Sequence, residues 1–218
     1  MIAVADIAAV FRATGLEPLG TLHPESGAWK TVALVGMVGR DHWPAFATSP
    51  EIADGEANPL DRFSRRIVDT LAKKFGGTAL FPFDGPPYFP FQRWARQTGA
   101  FFASPLGLLI HSEFGLWTSF RGAVGFAEML EIPAVMAAKS PCESCAARPC
   151  LSACPVSAFD GKAYDVQACA AHLTTLAGSD CRSNACLARR ACPIGREHAY
   201  APAQANFYME AFISSRCG

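Results

Sequence analysis

Along the first 130 positions the apolar residues recur with two periods, and each period predicts a kind of element. Val4, Ile7, Ala8 and Phe11 fall at helical spacing, and Gly15 supplies a stop. Thr31 to Val38 (TVALVGMV) is an unbroken apolar, β-branched run ended by Gly39, the pattern of a buried strand. Asn58-Pro59 reads as an N-cap with proline at the first helical position. The helix it opens has Leu60, Phe63, Ile67, Leu71 and Phe75 on one face and ends at Gly76-Gly77. Its other face, with Arg62, Arg65, Arg66, Lys73 and Lys74, reads as a solvated basic surface. Thr78 to Phe81 predicts a second strand. Between Phe81 and Trp94 prolines and glycine forbid regular structure while six aromatics are kept, so this loop is expected over a core or over a planar ligand. Gly107 to Ile110 and Leu116 to Phe126 predict two strands joined by a tight turn at His111 to Gly115, and residues 132–141 a linker. Beyond it, Asp165 caps a helix through Cys169, His172 and Leu176 that stops at Gly178, and Pro202 opens a last helix through Phe207 and Phe212.

Composition narrows the classes. With 218 residues, half of them hydrophobic, the chain has material for an ordinary domain plus a small one, and disorder is excluded. Nineteen basic residues balance nineteen acidic ones. The balance holds on both sides of Ser140, with 12 basic and 13 acidic residues before it and 7 and 6 from it onward. No electrostatic footprint for nucleic acid or an anionic membrane surface results. The first fifteen residues lack a basic start and carry Asp6 within their apolar stretch, which argues against a signal peptide. No apolar run is long enough to span a bilayer. A cytoplasmic, reducing setting is expected, in which clustered cysteines hold metal more often than they form disulfides.

The chemistry concentrates between Cys142 and Pro193, where eight of the nine cysteines form two runs, each ending in Cys-Pro. The first is Cys142, Cys145, Cys150, Cys154-Pro155, with gaps of two, four and three residues. The second is Cys169, Cys181, Cys186, Cys192-Pro193, with gaps of eleven, four and five. A cubane of iron and sulfide needs four thiolates, and in two-cluster ferredoxins the fourth cysteine of each run ligates the other cluster. Carried onto this chain, that pattern assigns Cys142, Cys145, Cys150 and Cys192 to one 4Fe-4S cluster and Cys154, Cys169, Cys181 and Cys186 to a second. The loops before Cys150, Cys186 and Cys192 are longer than in simple bacterial ferredoxins. Zinc is the chief competitor, although its sites favour repeated two-residue knuckles over runs ending in Cys-Pro. Cys217 reads as a bystander, and His172 and His198 as surface or packing histidines.

Two resemblances extend this reading. The cysteine half, roughly Pro141 to Gly195, is similar to the dicluster domain of epoxyqueuosine reductase. The likeness rests on the first run, on the Asp-capped segment Asp165-Val166-Gln167-Ala168-Cys169-Ala170-Ala171-His172-Leu173-Thr174 and on the second Cys-Pro. The front half resembles cblC-like cobalamin-processing proteins of the cyanocobalamin decyanase type. Asn58 to Arg62 carry that likeness, and above all His111-Ser112-Glu113-Phe114-Gly115-Leu116-Trp117-Thr118-Ser119-Phe120-Arg121-Gly122. Together they imply an α+β chain: a nitroreductase-like corrinoid-binding domain over 1–139, then a small two-cluster ferredoxin-like domain over 140–218. His111, Gly115, Trp117, Arg121 and Gly122 become candidate corrinoid contacts. Each also has a plain structural reading: a hairpin glycine, a core tryptophan, an arginine paired with an acid.

The implied function is a corrinoid-binding iron-sulfur oxidoreductase. Electrons from an external flavodoxin or ferredoxin-type reductase would pass through two 4Fe-4S clusters to cobalamin, to reduce cobalt or remove its upper ligand. The alternatives are an electron-transfer module that docks a partner enzyme, an epoxyqueuosine-reductase-like enzyme, and a flavoenzyme with an appended ferredoxin. Epoxyqueuosine reductase is longer and binds tRNA, whereas this chain has no basic surplus; Asp84 and Tyr88 are the only candidates for that enzyme's acid. No nucleic-acid or membrane partner is expected.

Overall fold

The computed structural model describes residues 3–133 and 138–217; the middle of the expected linker, residues 134–137, and the side chain of Cys217 lie outside the described residues. In chain order the elements are α1 (Val4–Arg12), β1 (Glu17–Leu22), β2 (Thr31–Val38), α2 (Trp43–Ala47), α3 (Pro50–Ala53), α4 (Pro59–Lys74), β3 (Thr78–Leu80), α5 (Phe91–Gln97), β4 (Phe101–Ala103), β5 (Leu109–His111) and β6 (Thr118–Phe126). They continue with α6 (Pro149–Ser152), α7 (Val166–Leu173), α8 (Ser179–Asn184), α9 (Leu187–Arg190) and α10 (Pro202–Cys217). Helix and strand are mixed. The chain divides into two compact units, Met1–Phe101 with Thr118–Ala138, and Phe102–Trp117 with Lys139–Gly218. The division is therefore not a single cut: the segment from Phe102 to Trp117 belongs with the cysteines.

The first unit is built on an antiparallel sheet ordered β1-β2-β6-β3. All eight residues of β2 are buried, as its unbroken apolar run predicts for a strand covered on both faces. Helix α4 buries Leu60, Phe63, Ser64, Ile67, Val68, Leu71 and Ala72, a stripe at three-to-four-residue spacing. Asn58 does not cap it with its side chain. It sits instead at φ 53°, a left-handed conformation that asparagine tolerates well, and Pro59 starts the first turn. The face expected to be merely solvated is partly paired: Arg62 with Asp54, Arg65 with Asp84 and Arg66 with Glu51.

Two elements depart from the sequence pattern. Strand β1 contains Pro18 and Gly20, which mask its period, and it is tolerated because it lies at the sheet edge. The proline-rich loop ends sooner than expected: Pro90 is the last breaker, and Phe91–Gln97 forms a helix that buries Phe91 and Trp94 one turn apart.

The described residues of the second unit carry the pair β4-β5, the four short helices α6 to α9, a 3-10 turn at Arg196–His198 and the long α10. Its core joins Leu106, Ile110 and Leu116 to Ala158, Phe159, Ala188 and Cys192. After β5 the tight turn closes with His111 and Gly115 exchanging backbone hydrogen bonds of 2.8 and 3.1 Å. Gly115 (φ 59°) lies against the Ile194 carbonyl and Gly195 (φ 68°) against Phe114, so a Cβ at either position would strike backbone. This crossing of two main chains fixes the segment after Cys192-Pro193 against the hairpin. Helix α7 stops at Leu173, short of the expected Leu176, which is 92% exposed. The hydroxyls of Thr174 and Thr175 donate back to Ala171 O and His172 O, in competition with continued helix.

Candidate metal centre

Eight thiols of the second unit line two cavities, four in each. Cys142, Cys145, Cys150 and Cys192 share a cavity of about 340 Å³ with Ile110, Arg148 and Ile194. Cys154, Cys169, Cys181 and Cys186 share one of about 300 Å³ with Phe159, His172 and Ala188. Each run thus gives its last cysteine, Cys154 or Cys192, to the cavity of the other run.

Local structure places these sulfurs. Cys145 lies one tight turn from Cys142, and Cys150 sits in the first turn of α6. In the second cavity Cys169 is held by α7, whose N-cap Asp165 accepts the Ala168 N–H at 2.9 Å. Cys181 lies in α8 and Cys186 is the N-cap of α9. Main-chain donors face the sulfurs. Ala158 N–H donates to Cys154 Sγ at 3.3 Å. The N–H groups of Ala188 and Arg189 hold the Cys186 thiol down without forming a cap hydrogen bond, and Leu187 N–H does the same for Cys181. In the first cavity the N–H groups of Cys150 and Leu151 act on the Cys150 sulfur.

The net direction is nevertheless upward. Burial pushes the thiols of Cys142, Cys150, Cys169, Cys181 and Cys186 above the ordinary value, and neighbouring cysteines of the same cavity push further. Four thiolates brought together out of water repel one another, so each set is suited to a cationic group that stabilises them jointly. Among the described residues no three His, Cys, Asp or Glu side chains converge closely enough to hold a single ion. A tetrahedral zinc site with Zn–S near 2.3 Å needs sulfurs within about 4 Å of each other. Thiols spread around a cavity fit a larger polynuclear group.

Side chains missed by sequence reasoning complete the second cavity. Tyr164 packs with Phe159, ring centroids 4.6 Å apart, and its phenol acts on the Cys169 thiol. Burial, that interaction and the nearby thiolates push the phenol well above its ordinary value. His172 lines the cavity with a buried Nε2 that has no hydrogen-bond partner. Arg189 spans the rings of Trp117 and Tyr200 at 4.8 and 4.7 Å and donates to Leu116 O and to the Tyr200 hydroxyl. No spacing in the sequence marks Tyr164 or Arg189. For His172 the signal was its place three residues after Cys169, one turn along the same helix face.

The five candidate corrinoid contacts divide between the two units, and all have protein partners. In the second unit His111 is buried, accepts the N–H groups of Glu113 and Phe114 on Nδ1 and stacks on Phe114 at 4.4 Å. Gly115 is occupied by the crossing with Ile194, and Trp117, 1% exposed, lies under Arg189 and against Tyr200. In the first unit Arg121 donates to Phe120 O and pairs with Asp61 at 3.3 Å, while Gly122 makes room for Val68. Asp84 is paired with Arg65 at 2.5 Å, Tyr88 is 64% exposed, and His198 meets Phe114 edge-on.

No protein-family model matches the chain, and no curated protein does. Two solved structures are similar to it. One is a selenomethionine-labeled epoxyqueuosine reductase, 12% identical, with a TM-score of 0.49 over 93% of this chain and 68% of that one. The other is epoxyqueuosine reductase from Streptococcus thermophilus, 18% identical, with a TM-score of 0.44 over 80% of this chain and 51% of that one.

Proposed function

We propose that the second unit holds two 4Fe-4S clusters and that the chain works as an iron-sulfur oxidoreductase. Cys142, Cys145, Cys150 and Cys192 would ligate one cluster, and Cys154, Cys169, Cys181 and Cys186 the other. The observation that carries this is the partition of eight thiols into two four-thiol cavities, each completed by the last cysteine of the other run. When bound, such clusters accept and pass on single electrons. The protein's own part is to aim the sulfurs, to present main-chain N–H groups to them and to surround them with apolar side chains such as Ile110, Phe159 and Ala188. The electron donor proposed is an external protein, a flavodoxin or a ferredoxin-type reductase.

The two resemblances point to different acceptors. The resemblance of the front half points to cobalamin, yet the five candidate corrinoid contacts drawn from it already have protein partners; the resemblance of the cysteine half points to a substrate of the epoxyqueuosine reductase kind. Anaerobic reconstitution tests the cluster reading: about eight iron and eight acid-labile sulfide per chain are expected for two 4Fe-4S groups. Colourless protein that takes up zinc alone would defeat it. Hydroxocobalamin added to the reconstituted protein then separates the acceptors. A corrinoid spectral shift with tryptophan quenching supports cobalamin, and its absence with clusters intact leaves the electron-transfer role without it.

A further inference from the structure

The two cavities have the same four ligands and different surroundings. In the first, the exposed Arg148 is the one side-chain hydrogen-bond donor on the wall among the described residues, beside Pro105, Ile110, Pro141, Pro149, Pro193 and Ile194. In the second, two donors stand close to sulfur. The Tyr164 ring stacks on Phe159, a residue of the cavity wall, and packs against the same core cluster as Cys154, Cys169 and Cys186, where its phenol and the Cys169 thiol act on each other. His172 brings a buried ring nitrogen, Nε2, to the same cavity with no hydrogen-bond partner among the described residues.

A buried polar nitrogen without a partner costs free energy, on the order of 1–3 kcal/mol. A wall of thiolate and sulfide is rich in acceptors. In the tautomer with hydrogen on Nε2, the ring would satisfy itself by donating to that wall. Hydrogen bonds to the sulfurs disperse negative charge and favour the reduced, more negative state of a cluster, so they raise its potential. Formal charges do not reverse the difference. Asp165 and Asp180 oppose Arg189 and Arg190 around the second set, and Arg148 beside the first is exposed and screened by water.

We infer that Tyr164 and His172 are positioning residues that give the cluster of the second cavity the higher reduction potential, so that electrons entering the chain come to rest there. This rests on the reading that both thiol sets hold 4Fe-4S clusters. Electrons would thus leave the chain from the side of Cys169 and Cys186 and not from that of Cys142 and Cys145.

The test is a redox titration of the anaerobically reconstituted protein, followed by electron paramagnetic resonance. The wild type is expected to show two separate one-electron steps. Tyr164→Phe, which keeps the stacked ring, and His172→Leu should each move only the higher step to more negative potential, by about tenfold in the ratio of reduced to oxidised at fixed poise. His172→Gln, which restores an N–H donor of similar reach, should recover part of the loss. Iron content must stay at the wild-type level in all three. Two overlapping steps in the wild type, or variants that move the lower step, would overturn the inference while leaving the clusters in place. Failure to bind about eight iron would sink the underlying reading instead.

Discussion

The first thiol set takes three cysteines from one short stretch and its fourth, Cys192, from far along the chain, whereas the second collects one cysteine each from a loop, α7, α8 and the N-cap of α9. The first is therefore only as sound as the single crossing that brings Cys192 back, the contact of Gly115 with Ile194 and of Gly195 with Phe114. The second depends on several helix starts, of which that of α7 carries a side-chain cap, Asp165. The difference teaches that identical ligands can be held by unlike means, one by main-chain close packing, the other by distributed local structure. Substitutions should accordingly damage one set and spare the other.

The largest effect is expected for Gly115→Ala. A Cβ there meets the Ile194 carbonyl, and the left-handed φ adds strain, so the folded state should lose roughly 3 kcal/mol. Urea unfolding measures that loss, and iron analysis should show retention of about one cluster of the two, the one on Cys169 and Cys186. Equal loss of both clusters would contradict the separate construction of the two sets. Next comes Arg189→Leu, which leaves Leu116 O and the Tyr200 hydroxyl unbonded and removes the cation from Trp117 and Tyr200. About 2 kcal/mol of destabilisation is expected, with increased Trp117 fluorescence exposure as a second readout. Asp165→Ala should cost about 1 kcal/mol through loss of the cap on α7, and in iron-limited reconstitution it should lower occupancy of the second set alone.

How far these features could be read from the sequence depended on whether a local rule governed them. Strand β2 and the stripe of α4 were legible because burial imposes a period, and the Asp165 cap because its residue type at that place has one main use. The partition of thiols followed from the two Cys-Pro runs. The membership of Phe102 to Trp117 in the cysteine unit was not legible, since it rests on two glycine backbones meeting across some eighty residues of sequence. The contacts of His111, Gly115 and Trp117 were hidden for a related reason: the three stand close together in sequence, yet their partners Ile194, Arg189 and Tyr200 lie far along the chain, and only Phe114 is local. The helix at Phe91–Gln97 was hidden by the prolines before it.

The smallest expected effect lies in the first unit and serves as a control on the comparison. Burial pulls the His42 imidazole down, but the Glu17 carboxylate at 3.4 Å and the Val38 carbonyl outweigh it and leave the net shift upward from 6.5. Burial also pushes Glu17 up, and His42 with Arg12 outweighs it, so its net shift is downward from 4.5. A raised histidine stabilises the fold fully below its unfolded value and ceases to do so as pH rises through the folded one. A lowered carboxylate stabilises above its unfolded value and ceases to do so as pH falls through the folded one. The pair therefore contributes most between about pH 4.5 and 6.5. His42→Gln should flatten stability across that window, measured by urea midpoints at several pH values, with both clusters retained.

The crossed ligand sets are tested most directly by iron analysis and electron paramagnetic resonance on Cys154→Ala beside Cys192→Ala, both reconstituted without oxygen. Cys154→Ala should lose the signal of the cluster shared with Cys169, Cys181 and Cys186 although Cys154 belongs to the first run, and Cys192→Ala should lose the other signal. Loss in each variant of the cluster belonging to its own run would contradict the account.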